Sequence, residues 1–135
     1  MQAALDKMRQ MDVMMSNNGM IGNHAACFTE AYKLWYKLSK NTNLQDAKFV
    51  SPPERWCFRL HFPSGKRVFG LSISIPTDAC GNLGDSASGY PETIEIALID
   101  KNDLLVYNED LGYEDVCRFN SDEEVEKEIL RLLAF

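Results

Sequence analysis

The sequence predicts an α+β domain, with a mainly antiparallel meander sheet of four to five strands and two N-terminal helices and one C-terminal helix packed on one face. Apolar residues recur at helical spacing near both ends and alternate in the middle. The elements follow the order α-α-β-β-loop-β-β-(β)-α, without the regular alternation of parallel sheets. The length, 135 residues, matches one domain, so we treat 1–135 as a single unit with 1–22 as a candidate peripheral segment.

Two helices are predicted at the N-terminus. The first covers residues 3–15 and has a methionine-rich stripe of Ala4, Met8, Met11 and Met15. Glycines in 16–22 end it. Asn23 is placed to cap a second helix that runs to Ser39, with an apolar stripe of Cys27, Phe28, Ala31, Leu34, Trp35 and Leu38. A polar connector, residues 40–54, follows.

A β-hairpin is predicted next. Its first strand alternates clearly, with one face made of Trp56, Phe58, Leu60 and Phe62. Ser64 and Gly65 form a two-residue turn into a second strand over 67–75. This register pairs Leu60 with Phe69, Phe58 with Leu71, and Trp56 with Ile73. A slip of one residue would set the aromatic side chains against Gly70 and Ser72, so burial should fix the register.

A second hairpin is predicted after a long loop, residues 76–91, which is rich in Gly, Ser and Asp. The third strand covers 93–99, and a turn at Lys101 and Asn102 leads into a fourth strand over 104–107. The expected pairs are Leu98 with Leu105 and Ile96 with Tyr107.

The C-terminal helix has the clearest start signal. A short fifth strand is a candidate over 116–119, and Ser121 then begins a capping box with Glu124. The buried stripe is Val125, Ile129, Leu132 and Leu133. Acidic residues fill the first turn and basic residues come later, as the helix dipole favours.

Charge is divided unevenly along the chain. Residues 92–135 hold 13 acidic and 4 basic residues, a net of −9, whereas 1–91 hold 7 acidic and 10 basic residues, a net of +3. The pI near 4.9 argues against a direct nucleic-acid binder. The acidic third is a solvated face or a surface for a basic protein partner, including the basic part of a second copy. A weaker alternative is a decoy that occupies a protein which normally grips nucleic acid.

The cellular compartment is predicted from the absence of apolar targeting segments in the sequence and from its cysteine usage. No apolar stretch approaches the roughly 18 residues of a membrane span, so no membrane partner is expected. Charged residues interrupt the N-terminus where a signal peptide would be apolar. The four cysteines are scattered without a C-x-x-C pair, which favours thiols over the alternative of two disulfides. We therefore expect a cytoplasmic protein.

Metal and cofactor sites are weakly supported. His24 and Cys27 lie three apart on a helix and could share a metal, whereas Cys57 and His61 lie four apart on a strand, about 13 Å, and could not. Zinc ligands sit about 2.0–2.3 Å from the ion. No phosphate-binding glycine motif is present. We expect no metal and no cofactor.

Catalysis has little support either. Ser86, Ser88 or Cys80 could act as a nucleophile only with His61 or His24 as base. No G-x-S-x-G sequence is present. A polar loop is the preferred interpretation.

The polar face of the sheet is the candidate ligand site. It carries Arg59, His61, Ser72, Ser74, Thr93 and Glu95. Arg59, His61 and Glu95 could hold a small anionic or polar ligand, with the 76–91 loop as a lid. The alternative is the solvated side of an antiparallel sheet.

The methionine stripe suggests a second kind of site. Met8, Met11 and Met15 either pack on the protein's own core or bind a partner. Our leading hypothesis is a small, non-enzymatic interaction domain that self-associates or binds a protein partner. The alternative is a ligand-binding or enzymatic domain that uses the polar sheet face.

Overall fold

The computed structural model of the protein describes residues 1–77 and 94–135 and confirms the α+β class. The helices are α1 (Gln2–Asn17), α2 (His24–Ser39) and α3 (Asp122–Leu133), with short 3₁₀ helices at Thr42–Leu44 and Glu109–Leu111. The strands are β1 (Lys48–Phe49), β2 (Cys57–His61), β3 (Gly70–Ser74), β4 (Ile94–Ile99), β5 (Leu105–Val106) and β6 (Cys117–Phe119). None of the helices in this part of the chain is long and apolar enough to cross a membrane.

The sheet is an antiparallel meander in the order β1-β2-β3-β4-β5, and β6 also pairs with β4. Within the described residues it has six strands, because the predicted connector over 40–54 supplies β1, where Lys48 pairs with His61 and Phe49 with Leu60. β5 and β6 share one edge of β4, since β5 pairs with its C-terminal half and β6 with its N-terminal half.

The core lies between one face of the sheet and the helices. The buried side chains of this face are Phe58, Leu60, Leu71, Ile73, Ile96 and Leu98, and those of the helices include Ala31, Leu34, Leu38, Val125, Ile129 and Leu132. Each large apolar side chain buried this way contributes about 1.5–3 kcal/mol. The predicted layering, with helices on one face of the sheet, is therefore confirmed, with α2 and α3 covering the core and α1 packed mainly on α2.

The register predicted for the first hairpin is wrong by two residues. The observed pairs are Phe58–Ile73 and Leu60–Leu71. The turn over 64–65 does form, but it is the tip of a longer connection that closes where Phe62 N donates to Phe69 O at 2.8 Å. Because side chains alternate with a period of two, a shift of two residues leaves the paired apolar side chains on the expected face. Phe69 precedes the observed strand β3 and is 40% exposed.

The register predicted for the second hairpin is wrong by one residue. Leu98 lies opposite Val106 and Ile99 opposite Leu105. Asp103 adopts a left-handed conformation, φ 62°, so the connection holds three residues instead of two. A one-residue shift turns every side chain to the other face, so the pairs Leu98–Leu105 and Ile96–Tyr107 do not form.

A partly buried polar network connects α3 to the segment before β6. The hydroxyl of Tyr113 donates to Glu128 Oε2 at 2.5 Å. Arg131 donates to both Glu128 oxygens, at 2.7 and 2.9 Å, and to Leu111 O at 2.7 Å. Burial, then the bond to Glu128, raises the pKa of Tyr113 far above its usual value. The hydroxyl is therefore a permanent donor to the carboxylate.

Of the two hydrogen bonds in the capping box predicted for α3, the one to Ser121 is confirmed. Ser121 Oγ accepts a hydrogen bond from Glu124 N at 3.2 Å. The Glu124 carboxylate reaches back one residue further than a capping box requires and accepts from Asn120 N at 3.2 Å. Both bonds satisfy backbone amides near the start of α3.

Replacing Tyr113 by Phe is expected to lower the free energy of unfolding by about 1–3 kcal/mol, because the partly buried Glu128 carboxylate loses a donor. Chemical denaturation measures the change. Tyr107→Phe is the matched control, since Tyr107 is 65% exposed and its loss should stay within about 0.5 kcal/mol. Equal effects of the two substitutions would show that the network is energetically unimportant.

Candidate functional site

A groove runs between α1 and residues 51–55, with a volume of about 690 Å³. We call it the methionine groove, and its lining includes Met1, Met8, Met11, Met14, Tyr32, Pro52 and Pro53. Thioether side chains are flexible and polarisable, so they adapt to apolar groups of different shapes. The groove can therefore accept apolar side chains without a fixed template.

The predicted methionines occupy three different positions. Met8 lines the groove but is almost fully buried, and Met11 lines it half-buried. Met15 is half-buried beside Gly22 instead. Sequence reasoning missed Met14, which lines the groove and is 65% exposed. The available signal was its position in the sequence, directly before Met15 and three residues after Met11.

Asp12 attaches α1 to α2. Its Oδ1 accepts a hydrogen bond from His24 N at 2.7 Å, and its Oδ2 accepts one from Ala25 N at 3.0 Å. Asp12 thus caps α2 from another helix, whereas the predicted cap Asn23 makes no side-chain capping bond. A Cβ on Gly22 would lie 2.7 Å from Asp12 Oδ1, so only glycine allows this approach.

The Asp12 carboxylate is also paired with an imidazole. His24 Nδ1 lies 2.8 Å from Asp12 Oδ1, and the His24 ring packs on Trp56 with centroids 5.3 Å apart. Burial alone raises the pKa of Asp12, but bonds from the Ala25 amide and from the ring and amide of His24 outweigh it. The pKa of Asp12 is therefore lowered.

Among the described residues, the histidines and cysteines considered as metal ligands do not come together in a metal site. Cys27 Sγ donates to Pro76 O at 3.4 Å, and His24 is engaged by Asp12. In residues 1–77 and 94–135, no group of three or more His, Cys, Asp and Glu side chains is placed to hold a metal, and the cysteines there form no disulfide. The candidate nucleophiles Cys80, Ser86 and Ser88 lie outside the described residues.

The polar sheet face separates its predicted residues into two clusters. Arg59 Nη1 lies 2.5 Å from Asp103 Oδ2, and His61 Nε2 lies 3.5 Å from Asp103 Oδ1. Glu95 pairs instead with Arg118 at 3.3 Å. β2 and β4 are two strand spacings apart, so Arg59 and Glu95 are separated by about 10 Å or more.

His61 is held by its neighbours on this face. Gly70 lies opposite it, and a Cβ there would meet the ring Cδ2 at 3.0 Å. The ring also packs on Phe69 with centroids 4.8 Å apart. His61 Nε2 is buried and has no hydrogen-bond partner among the described residues; Asp103 Oδ1 lies 3.5 Å away.

The two serines lie between these clusters. Ser72 is opposite Arg59, and Ser74 is opposite Glu95. Thr93 and all but the first two residues of the predicted lid, 76–91, lie outside the described residues. The ligand site of Arg59, His61, Ser72, Ser74 and Glu95 stays a prediction.

Comparison with protein-family models, curated proteins and solved structures finds no match to this chain. Function is therefore inferred from the geometry of the surfaces of this protein.

Replacing Asp12 by Ala is expected to cost about 0.5–2 kcal/mol of stability, the usual loss for a helix cap. Because the folded-state pKa of Asp12 is depressed, its contribution is present above the unfolded value, about 3.9, and is lost as pH falls through the folded value. Stability measured against pH should therefore fall less steeply on the acid side in the variant.

Asp6→Ala is the matched control for this substitution. Asp6 lies on the same helix but is exposed, and it contacts only Gln2 and Arg9 among the described residues. An acid limb that is unchanged in Asp12→Ala would contradict the capping role of Asp12.

Proposed function

We propose that this protein is a small, non-enzymatic interaction domain that self-associates through α1, with the methionine groove receiving apolar side chains from α1 of a second copy. The observation that carries the proposal is the groove together with the exposed apolar residues of α1 and of the turn after it, two of which, Met1 and Met14, line the groove. In this proposal the domain works in the cytoplasm, where its scattered thiols would stay reduced.

One group of exposed apolar residues lies at α1, the residue before it and the turn after it. Their exposed fractions are 62% for Met1, 59% for Val13, 65% for Met14, 53% for Met20 and 77% for Ile21. Single exposed apolar residues are common, but concentrated ones mark interaction surfaces. Covering these side chains would supply the driving force for association.

Charge favours α1 as the meeting surface of two copies. α1 carries Asp6 and Asp12 against Lys7 and Arg9, so its side chains sum to zero. The C-terminal third carries a net of −9, and two copies meeting there would repel each other. A helix that packs against its own copy forms a self-complementary, two-fold interface, the commonest symmetry of homo-oligomers.

Met14→Glu is expected to shift the protein to monomer, because burying a carboxylate in the apolar contact would carry a desolvation penalty. Size-exclusion chromatography with light scattering over a concentration series measures the state. Leu130→Glu is the control: Leu130 is 40% exposed on α3, away from α1, and its variant should associate as the unchanged protein does. Circular dichroism checks that both variants fold.

A strict monomer for the unchanged protein at high concentration and low salt would overturn the proposal. So would a Met14→Glu variant that associates as strongly as Leu130→Glu.

A second function, binding of a small anionic ligand on the polar sheet face, is favoured by one observation. Arg59 and His61 lie together beside Asp103, and His61 Nε2 has no hydrogen-bond partner in the described part of the chain. Inorganic phosphate, titrated while the histidine resonances are followed by NMR, should shift His61 and not His24. Equal shifts of both rings, or none, would remove this candidate.

A further inference from the structure

β5 is the last strand of the sheet path on its side. It pairs with β4 through Leu98–Val106 and Ile99–Leu105, and no strand of the described residues pairs with its other edge. The hydrogen bond from Asp100 N to Leu104 O, 2.9 Å, shows which residues of this strand direct their backbone groups towards β4. Leu104 and Val106 therefore point their backbone groups towards β4, and Leu105 and Tyr107 point theirs outward.

The side chains along this edge are apolar and exposed. The exposed fractions are 62% for Leu104, 55% for Leu105, 37% for Val106 and 65% for Tyr107. Exposed edge strands are usually protected by an inserted Lys, a Pro or a bulge. The run of four has no charged residue and no Pro, so it can accept another strand.

Acidic residues surround the run on both sides. Residues 100–115 contain six acidic residues (Asp100, Asp103, Glu109, Asp110, Glu114, Asp115) and one basic residue, Lys101. Arg59 partly neutralises Asp103, and Arg67 lies 3.6 Å from Asp110. Glu109 and Glu114 are exposed and form no ion pair within the described ranges.

We propose that the β5 edge binds an extended apolar peptide segment of a protein partner, flanked by Lys or Arg at both ends, which adds to the sheet as a further strand. The outward backbone groups of Leu105 and Tyr107 would bond its backbone, and the four exposed side chains would pack on its apolar residues. The basic ends would face the acidic residues on either side of the run. This surface is separate from the methionine groove.

A second copy of the chain is a poor occupant of this edge. If two β5 strands paired antiparallel, the acidic residues before the run in one chain would approach those after it in the other. Like charges set opposite one another on paired strands are destabilising. The charges thus discriminate against self-pairing and favour a basic partner.

The test uses a fluorescent peptide of alternating Val and Thr with two Lys at each end, titrated with the full-length protein and followed by anisotropy. Its controls carry Glu in place of Lys, or a central Pro that removes a strand donor. The Lys peptide should bind roughly tenfold or more tightly than either control, and its affinity should fall as salt is raised.

Three protein variants locate the site. Leu105→Lys places a charge on the edge and should weaken binding of the Lys peptide about tenfold. Glu109→Lys should weaken it and reduce its preference over the Glu peptide. Asp46→Lys makes the same charge change at an exposed residue before β1 and should leave binding unchanged.

Equal affinity for the Lys and Glu peptides would overturn the proposal, as would unchanged binding in Leu105→Lys. A change of oligomeric state in Leu105→Lys would instead make a second copy the occupant and would also overturn it. Met14→Glu should bind the peptide normally, so failure of self-association and failure of peptide binding are distinguishable.

Discussion

Burial of one face of β2, β3 and β4 beneath α2 and α3 organises this domain. Side chains such as Leu60, Leu71 and Ile96 have no exposed surface, and helix residues such as Ile129 pack in the same cluster. A strand with one buried face must present its alternate residues on the other face. The polar face, with its two separate ion-pair clusters, is thus a consequence of the core.

The elements outside this core are held by specific polar contacts. Asp12 connects α1 to α2, and Glu128 connects α3 to Tyr113 and Arg131. Because α1 packs mainly on α2 and not on the sheet, much of its surface stays exposed. The same is true of β5, which pairs with only one end of β4. Both proposed binding surfaces therefore lie where the core ends.

Sequence reasoning found the elements and faces because these follow from local periodicity. It missed both hairpin registers, because a register depends on turn geometry that residue preference does not determine. The left-handed Asp103 and the long connection between Phe62 and Phe69 changed the pairing without changing the strands. The side-chain contacts at the candidate sites were harder to predict than the registers. Arg59 and His61 contact Asp103, and Asp12 caps a helix that begins twelve residues later. Such contacts depend on tertiary packing.

Native-state hydrogen exchange separates global unfolding of the sheet from local opening of α1. If the buried sheet face is the constraint that organises the domain, amides of β3 should exchange only through global unfolding, whereas amides of α1 in the Met14→Glu variant should exchange through a local opening of lower free energy. Amides of β3 that exchange as fast as those of α1 would contradict the account, because the sheet would then not be the stable centre of the fold.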